Sequence, residues 1–379
     1  MSSNPLLQLH EQGQSVWLDQ ISRSLITSGE LKRLIDQDGL RGMTSNPTIF
    51  QKAIGNGQDY ADHVKEMVRK GTSVCQLYEA LVVQDIGAAA DVFRPLYDAE
   101  NGSDGFVSLE VSPLLANDAE ATIKEAKDLW QRLNRPNVMI KVPGTTAGIP
   151  AFEELIASGL NINVTLIFAV EVYERVAEAY LRGLERRAQA GQPIDRIASV
   201  ASFFVSRIDT AVDKQLEQKL QQASDPGQKQ RIESLMGKAA IANAKLAYES
   251  FRRIFSGERW NRLKAKGAKV QRPLWASTST KNPKYRDTLY VEELLGRDTV
   301  NTVPLNTLEA FRDHGVVKPT LEAGLQEAHK IFAGLKEVGI DMKAVTQKLT
   351  EDGVASFAES FNQLIDVIQK RRDELSKAA

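Results

Sequence analysis

What most constrains the fold of this chain is an alternation that runs almost end to end: a short, β-branched apolar run, then a longer segment with helical periodicity. Eight such runs are present, at residues 15–19 (SVWLD), 40–46 (LRGMTSN), 106–112 (FVSLEVS), 138–142 (VMIKV), 162–168 (INVTLIF), 197–205 (IASVASFFV), 273–278 (PLWAST) and 299–303 (TVNTV). Between them, residues 118–133 predict a helix capped by Asp118, with Ile123, Ala126 and Trp130 along one face. The same periodicity covers 169–189, 206–223 and 227–255. A long insert, 60–96, predicts at least two further helices, and the tail predicts three more at 320–337, 343–351 and 353–370.

Strands alternating with helices imply a parallel sheet, and eight units in 379 residues imply an α/β chain folded as a (β/α)8 TIM barrel. The extra helices fall in the β2–β3 connection and at the C-terminus, and the whole chain, 1–379, is expected to form one such domain. A doubly wound sheet would need a glycine-rich turn after its first strand. The residues after Asp19 are QISRSL, with no such turn.

Composition narrows the function. Hydrophobic residues at 42% with 26% charged suit a soluble globular protein, and a net charge of −1 gives no field to draw in nucleic acid or an anionic membrane. No basic segment leads into an apolar run at the N-terminus, and no stretch nears the length of a membrane span, so a cytoplasmic protein is expected. The single cysteine, Cys75, excludes an internal disulfide and is expected to be a packed thiol. His10, His63, His314 and His329 lack metal-ligand spacing and read as surface or packing residues, so no metal site is expected. The basic run 262–272 (RLKAKGAKVQR) reads as a solvated loop, because no aromatics interleave with its charges.

In a (β/α)8 barrel the chemistry lies at the C-terminal ends of the strands. Asp19 ends the first run, Asn46 the second, Glu110 and Lys141 come late in the third and fourth, and Thr165 lies in the fifth. Barrel strands should be nearly continuous in apolar residues, so three ionisable groups in successive strands mark a site. Lys141, in NVMIKVPGT, is the sharpest case. Burial disfavours the ammonium form of a lysine, and neutral amine can attack a carbonyl to give a Schiff base, an electron sink for C–C cleavage. Asp19 and Glu110 could shuttle protons for it, and the Thr165 hydroxyl could position a water. Two later segments could bind an anion: Ser202 to Arg207 (SFFVSR) and the loop after the seventh run, STSTK, from Ser277 to Lys281. Strict alternation puts Ser202 and Arg207 on opposite faces, so both reach the site only if the strand ends between them.

With these residues in hand, the chain resembles transaldolase, a class I aldolase-type enzyme of the non-oxidative pentose phosphate pathway. The resemblance runs from about Val16 to Ile368, through WLDQ, GMTSNPTIF, SLEVSP, IKVPGTTAGIPAFEEL, NINVTLIF, SFFVSRID and GVASFAESFNQLI. Its length and helical insert are similar to the longer bacterial form of the family. The resemblance implies ping-pong transfer of a dihydroxyacetone unit from a ketose phosphate (sedoheptulose 7-phosphate or fructose 6-phosphate) to an aldose phosphate. It implies no metal or organic cofactor, and sugar phosphates as the only partners, with monomer and homodimer both open.

By motif position, the resemblance makes Lys141 the Schiff-base lysine, Asp19 the general acid/base, and Glu110 with Thr165 the pair that handles the catalytic water. Asn46 and Asn163 would hold hydroxyls of the three-carbon unit, while Ser202 and Arg207 fall near the substrate and its phosphate. The chain departs from the family in one place. Better-known members carry an arginine shortly after the first serine of the loop following the seventh strand, whereas here the loop is ASTSTKNP, so Lys281 stands in beside Ser277. Two alternatives remain at this level: a Schiff-base fructose-6-phosphate aldolase releasing free dihydroxyacetone, and a non-catalytic sugar-phosphate binding protein.

Overall fold

The computed structural model describes residues 4–56 and 59–377. Eight parallel strands close into a barrel in chain order: β1 (Gln14–Asp19), β2 (Gly42–Thr44), β3 (Phe106–Glu110), β4 (Val138–Pro143), β5 (Ile162–Ile167), β6 (Ser199–Phe204), β7 (Arg272–Ala276) and β8 (Thr299–Val303). β1 pairs with both β2 and β8, which closes the sheet and rules out the doubly wound alternative. Every expected strand is present, and β2, β3, β5, β6 and β7 are shorter than the sequence suggests. β2 stops at Thr44 because Pro47 opens the helix Pro47–Asn56, whose first turn Asn46 caps by accepting from the Ile49 N–H at 3.0 Å. β7 stops at Ala276 because Ser277 turns into the left-handed region (φ 57).

Register decides which side chains share the barrel interior. Asp19 lies opposite Thr44, Glu110 opposite Lys141, Lys141 opposite Asn163, Pro143 opposite Thr165, and Ser202 opposite Leu274. Partners in register point to the same side, so the polar residues at the strand ends form one inward-facing layer. The floor of the barrel is plugged differently. A Cβ on Gly42 would come within 2.5 Å of the Trp17 ring, so only glycine lets the indole lie across β2. The Trp17 Nε1 donates to Asp104 at 3.0 Å, and Asp104 also accepts from Ser15, Arg41 and Arg272. Burial alone would raise the Asp104 carboxyl, but Arg272 and Arg41 outweigh it and hold the group below its ordinary value.

The helices depart from the sequence reading in instructive ways. Asp118 caps Ala119–Leu133 as expected, accepting from the Ala121 N–H at 3.0 Å. The stretch 227–255 divides into Pro226–Glu233 and Ala239–Ile254 at Gly237 (φ 68), whose N–H is taken by Asp213. At the tail the opposite happens: 343–351 and 353–370 merge into one helix, Met342–Lys377, that runs straight through Gly353. A helical glycine costs only about 1 kcal/mol against alanine, less than this helix gains by packing. The helix expected from 320 begins at Leu325, after Gly324 (φ 72). The insert holds Ala61–Arg69 and Val74–Ala99.

Two side-chain expectations need correcting. Cys75 is exposed rather than packed, because Val74 and Leu77 on the same helix turn inward and leave it on the solvent side. The run 262–272 is not all loop: it starts inside the helix Glu258–Lys264 and ends at Arg272, in β7, paired with Asp104.

The C-terminal helix packs along Pro47–Asn56, with the Thr48 and Ser360 hydroxyls 2.8 Å apart, and reaches the C-terminal mouth of the barrel. There a Cβ on Gly353 would lie 2.9 Å from Leu166 Cδ2 and 3.8 Å from Arg207 Nη1, so the glycine of GVASF permits a close approach at the end of β5. Among the described residues no helix is long and apolar enough to cross a membrane.

Candidate active site

Lys141 stands inside the barrel, 5% exposed, between β3 and β5. Its Nζ donates to the Ser45 carbonyl at 2.9 Å and lies 3.4 Å from Glu110 Oε2. Glu110 is buried too, and burial pushes its carboxyl above the ordinary value; Lys141 opposes that rise and the Asp19 charge adds to it. Asp19, at the end of β1, accepts from the Thr44 hydroxyl at 2.6 Å, and Thr44 in turn meets the Thr302 hydroxyl at 2.7 Å. Burial raises the Asp19 carboxyl as well, with Lys141, Thr44, Lys281 and Arg207 pulling the other way. An amine flanked by two carboxyls that hold protons more tightly than usual can condense with a ketone and relay protons around it.

Thr165 follows on β5, where the register with β6 shifts between Val164 and Ile167 and Leu166 takes a left-handed backbone (φ 58). A bulge of this kind re-aims a side chain, and strained non-glycine backbone gathers at functional sites. Among the described residues the fully buried Thr165 hydroxyl has no hydrogen-bond partner, and Glu110 Oε2 meets only the Lys141 ammonium, at 3.4 Å. These two atoms, on β3 and β5 to either side of Lys141 on β4, make a polar pocket suited to a water. Asn163 is held below them: its Nδ2 donates to Ser108 at 3.2 Å and its Oδ1 accepts from Ser202 at 2.7 Å.

The structure answers the question of faces. β6 ends at Phe204 and the helix Ser206–Gln222 begins two residues later, so Ser202 faces the interior while Arg207 sits on the first turn of the helix above it. The Arg207 guanidinium lies 5.3 Å from the Phe204 ring centroid and feels the Asp19 charge. Lys281 is exposed as a residue, but partial desolvation of its ammonium, then Arg207 and Lys52, hold it below the ordinary lysine value. Arg207, Lys281 and Lys52 therefore form a positive rim, and among the described residues neither Arg207 nor Lys281 has an ion-pair partner. Ser277 is less free than the sequence suggests: its hydroxyl meets Ser206 Oγ at 2.9 Å, and its carbonyl accepts from the Ser206 N–H.

Nine of the ten residues singled out in the sequence thus lie in the C-terminal halves of the strands or in the loops and helix starts that follow them, while Asn163 enters from the start of β5, level with Lys141. Sequence reasoning missed their supports: Thr44, Ser45, Ser108, Thr302, Ser206 and Lys52. Counting back by two from Glu110 would have found Ser108, but Ser45 acts through its main-chain carbonyl, which no side-chain pattern marks. Among the described residues no group of three or more His, Cys, Asp or Glu could hold a metal ion.

The model of the Transaldolase/Fructose-6-phosphate aldolase family matches residues 16–368. Transaldolase 2 of a Nostoc species is 47% identical over 379 residues, covering 99% of this chain and 100% of its own. A transaldolase from a Parafrankia species is 49% identical over 378 residues, with 100% of both chains covered, and one from Trichodesmium erythraeum is 45% identical over 378 residues, with 99% and 100% covered. With that match along nearly the whole chain, and a closed eight-stranded barrel carrying a buried lysine on β4, the protein belongs to the transaldolase/fructose-6-phosphate aldolase family.

Proposed function

We propose that the chain is a transaldolase, moving a dihydroxyacetone unit from sedoheptulose 7-phosphate or fructose 6-phosphate to glyceraldehyde 3-phosphate or erythrose 4-phosphate in the non-oxidative pentose phosphate pathway. The observation that carries the assignment of roles is Lys141, buried in the barrel beside Glu110. In this reading the neutral Lys141 amine adds to C2 of the ketose, and loss of water gives the Schiff base. Asp19 takes the proton from the C4 hydroxyl as the C3–C4 bond breaks; the electron pair flows into the iminium to form an enamine, and the first aldose phosphate leaves. The enamine then attacks the carbonyl carbon of the second aldose phosphate, Asp19 returns the proton, and water releases the product from Lys141.

Glu110 and Thr165 handle the water of carbinolamine formation and hydrolysis, which fits the unpartnered Thr165 hydroxyl and the place of Glu110 Oε2 beside Lys141. Asn46 and Asn163 hold hydroxyls of the three-carbon unit, with Ser202 orienting Asn163. Arg207 and Lys281 take the phosphate, Lys52 adds to their field, and Ser277 acts mainly by fixing Ser206 at the start of the Arg207 helix. The lysine is the electron sink, so no cofactor is called for. A cytoplasmic setting fits the lone cysteine and the absence of a membrane-spanning helix among the described residues.

The test is an assay with fructose 6-phosphate, run with and without erythrose 4-phosphate. Transfer product should form with the acceptor present, and free dihydroxyacetone should stay at trace level without it. Steady release of dihydroxyacetone without acceptor would make the protein an aldolase instead.

A further inference from the structure

The loop after β7 carries Lys281, and it is tied at both ends to the helix Ser206–Gln222, whose first turn carries Arg207. At the near end the Ser277 and Ser206 hydroxyls lie 2.9 Å apart, and the buried Thr278 hydroxyl next to them donates to Asn301 Oδ1 at 2.9 Å. At the far end the Tyr285 hydroxyl donates to Asp213 Oδ2 at 2.6 Å, and further on the Tyr290 hydroxyl donates to Asp209 Oδ2 at 2.8 Å. Between these anchors the main chain of residues 279–281 makes no hydrogen bond among the described residues, and the Lys281 ammonium donates only to Ser279 Oγ, at 2.7 Å.

The far tie is built into the packing around it. Asp213 lies one helical turn after Asp209 on the same face, and both are buried. Two acidic groups stacked in a dry place call for donors. The Ala240 N–H serves Asp209 at 2.7 Å and the Gly237 N–H serves Asp213 at 2.9 Å, each leaving one oxygen for a tyrosine. The Tyr285 ring reaches its oxygen by lying against Gly237, where a Cβ would come within 2.6 Å of the ring. With φ 68 as well, this corner needs glycine both for its backbone and for the contact. From Tyr285 back to Lys281 the chain is short and closed. The Tyr285 N–H donates to the Asn282 carbonyl and the Lys284 N–H to Asn282 Oδ1, both at 3.0 Å.

Charge gives the tie its consequence. Lys281 and Arg207 feel each other, with Lys52 behind them, and among the described residues neither Lys281 nor Arg207 has an ion-pair partner. Like charges repel, so with the far end of the loop released the lysine would swing towards solvent. A phosphate would then have to order it again on binding, at a cost in affinity. We propose that Tyr285 is a positioning residue for phosphate binding: by holding the far end of the loop on Asp213, it keeps Lys281 beside Arg207. This rests on the reading in which Arg207 and Lys281 take the substrate phosphate.

The experiment uses the full chain as wild type, Tyr285→Phe, Lys281→Gln and the double variant. The thermal midpoint is followed against inorganic phosphate, with chloride matching ionic strength, and transfer is run from fructose 6-phosphate to erythrose 4-phosphate. Tyr285→Phe should raise both the half-saturating phosphate concentration and the KM for fructose 6-phosphate about fivefold, with kcat within about twofold. In the Lys281→Gln background the same substitution should change neither by more than about twofold. A fall in kcat at unchanged KM, equal effects in the two backgrounds, or no saturable phosphate response overturns the proposal. A wild type without transfer activity sinks the transaldolase reading alone, since the phosphate comparison is read without turnover. Asp213→Asn offers one oxygen where Gly237 and Tyr285 use two, so it should give the same losses and carries the test should Tyr285→Phe fail to fold.

Discussion

Lys141 Nζ lies 3.4 Å from Glu110 Oε2, with both side chains 6% or less exposed, across the β3–β4 register. Burial lifts the Glu110 carboxyl, and Lys141 is the main force holding it down. In Lys141→Met that restraint is gone, and the Glu110 carboxyl should rise further. The infrared band of its protonated form should persist to higher pH in that variant than in the wild type and vanish when Glu110→Gln is added. Absence of that shift would mean the carboxyl is stabilised by something other than the lysine.

Asp19 carries the proton of the cleaved hydroxyl in this account, and its carboxyl is raised by burial. Loss of a general acid/base typically costs about 10²–10⁴ in rate, so Asp19→Asn should lower kcat by that much while leaving Schiff-base formation measurable. The acid limb of the wild-type kcat profile should also lie above the ordinary aspartate range. Stopped-flow of imine formation beside steady-state turnover checks both, and equal loss of the two rates would reassign Asp19.

Thr165 offers a cleaner separation of stability from activity. Its hydroxyl is buried with no partner among the described residues, so Thr165→Val removes an unsatisfied polar atom without leaving a hole. The variant should unfold at the same or higher denaturant concentration than the wild type, yet turn over more slowly because the water of hydrolysis loses a partner. A destabilised variant of normal activity would contradict the role.

Asp209 sits two residues beyond Arg207 and is pushed up to about 6, by burial above all, while the Ala240 N–H and the Tyr290 hydroxyl oppose the rise. An acid whose folded value exceeds its unfolded one binds its proton more tightly in the native state. Its contribution therefore stabilises the fold below about pH 4 and is lost progressively as pH rises through about 6. The stability of the wild type relative to Asp209→Asn should fall by about 3 kcal/mol across that interval. Urea unfolding of both proteins at several pH values measures the difference, and parallel curves would refute it.

The barrel was legible because parallel strands buried on both faces must be apolar, so Asp19, Glu110 and Lys141 stood out against their strands. The cap at Asp118 was legible for a local reason, a side chain bonding three residues on. What was not legible depends on distant neighbours. Gly353 looked like a break, yet its helix continues because packing outweighs the small helical cost of one glycine. Cys75 looked packed because its sequence neighbours are apolar, while one residue's turn of the helix put it in solvent. The left-handed backbone of Ser277, which brings its hydroxyl to 2.9 Å from Ser206 Oγ, was likewise not legible. Each miss turned on a tertiary approach or on main-chain geometry, neither of which composition or periodicity encodes.

The most direct test of the account is borohydride trapping with fructose 6-phosphate, followed by mass analysis of the peptides. The account predicts a reduced three-carbon adduct on the peptide containing VMIKVPG, at Lys141, and none in Lys141→Met. An adduct on another lysine, or none on folded wild-type protein, would contradict it.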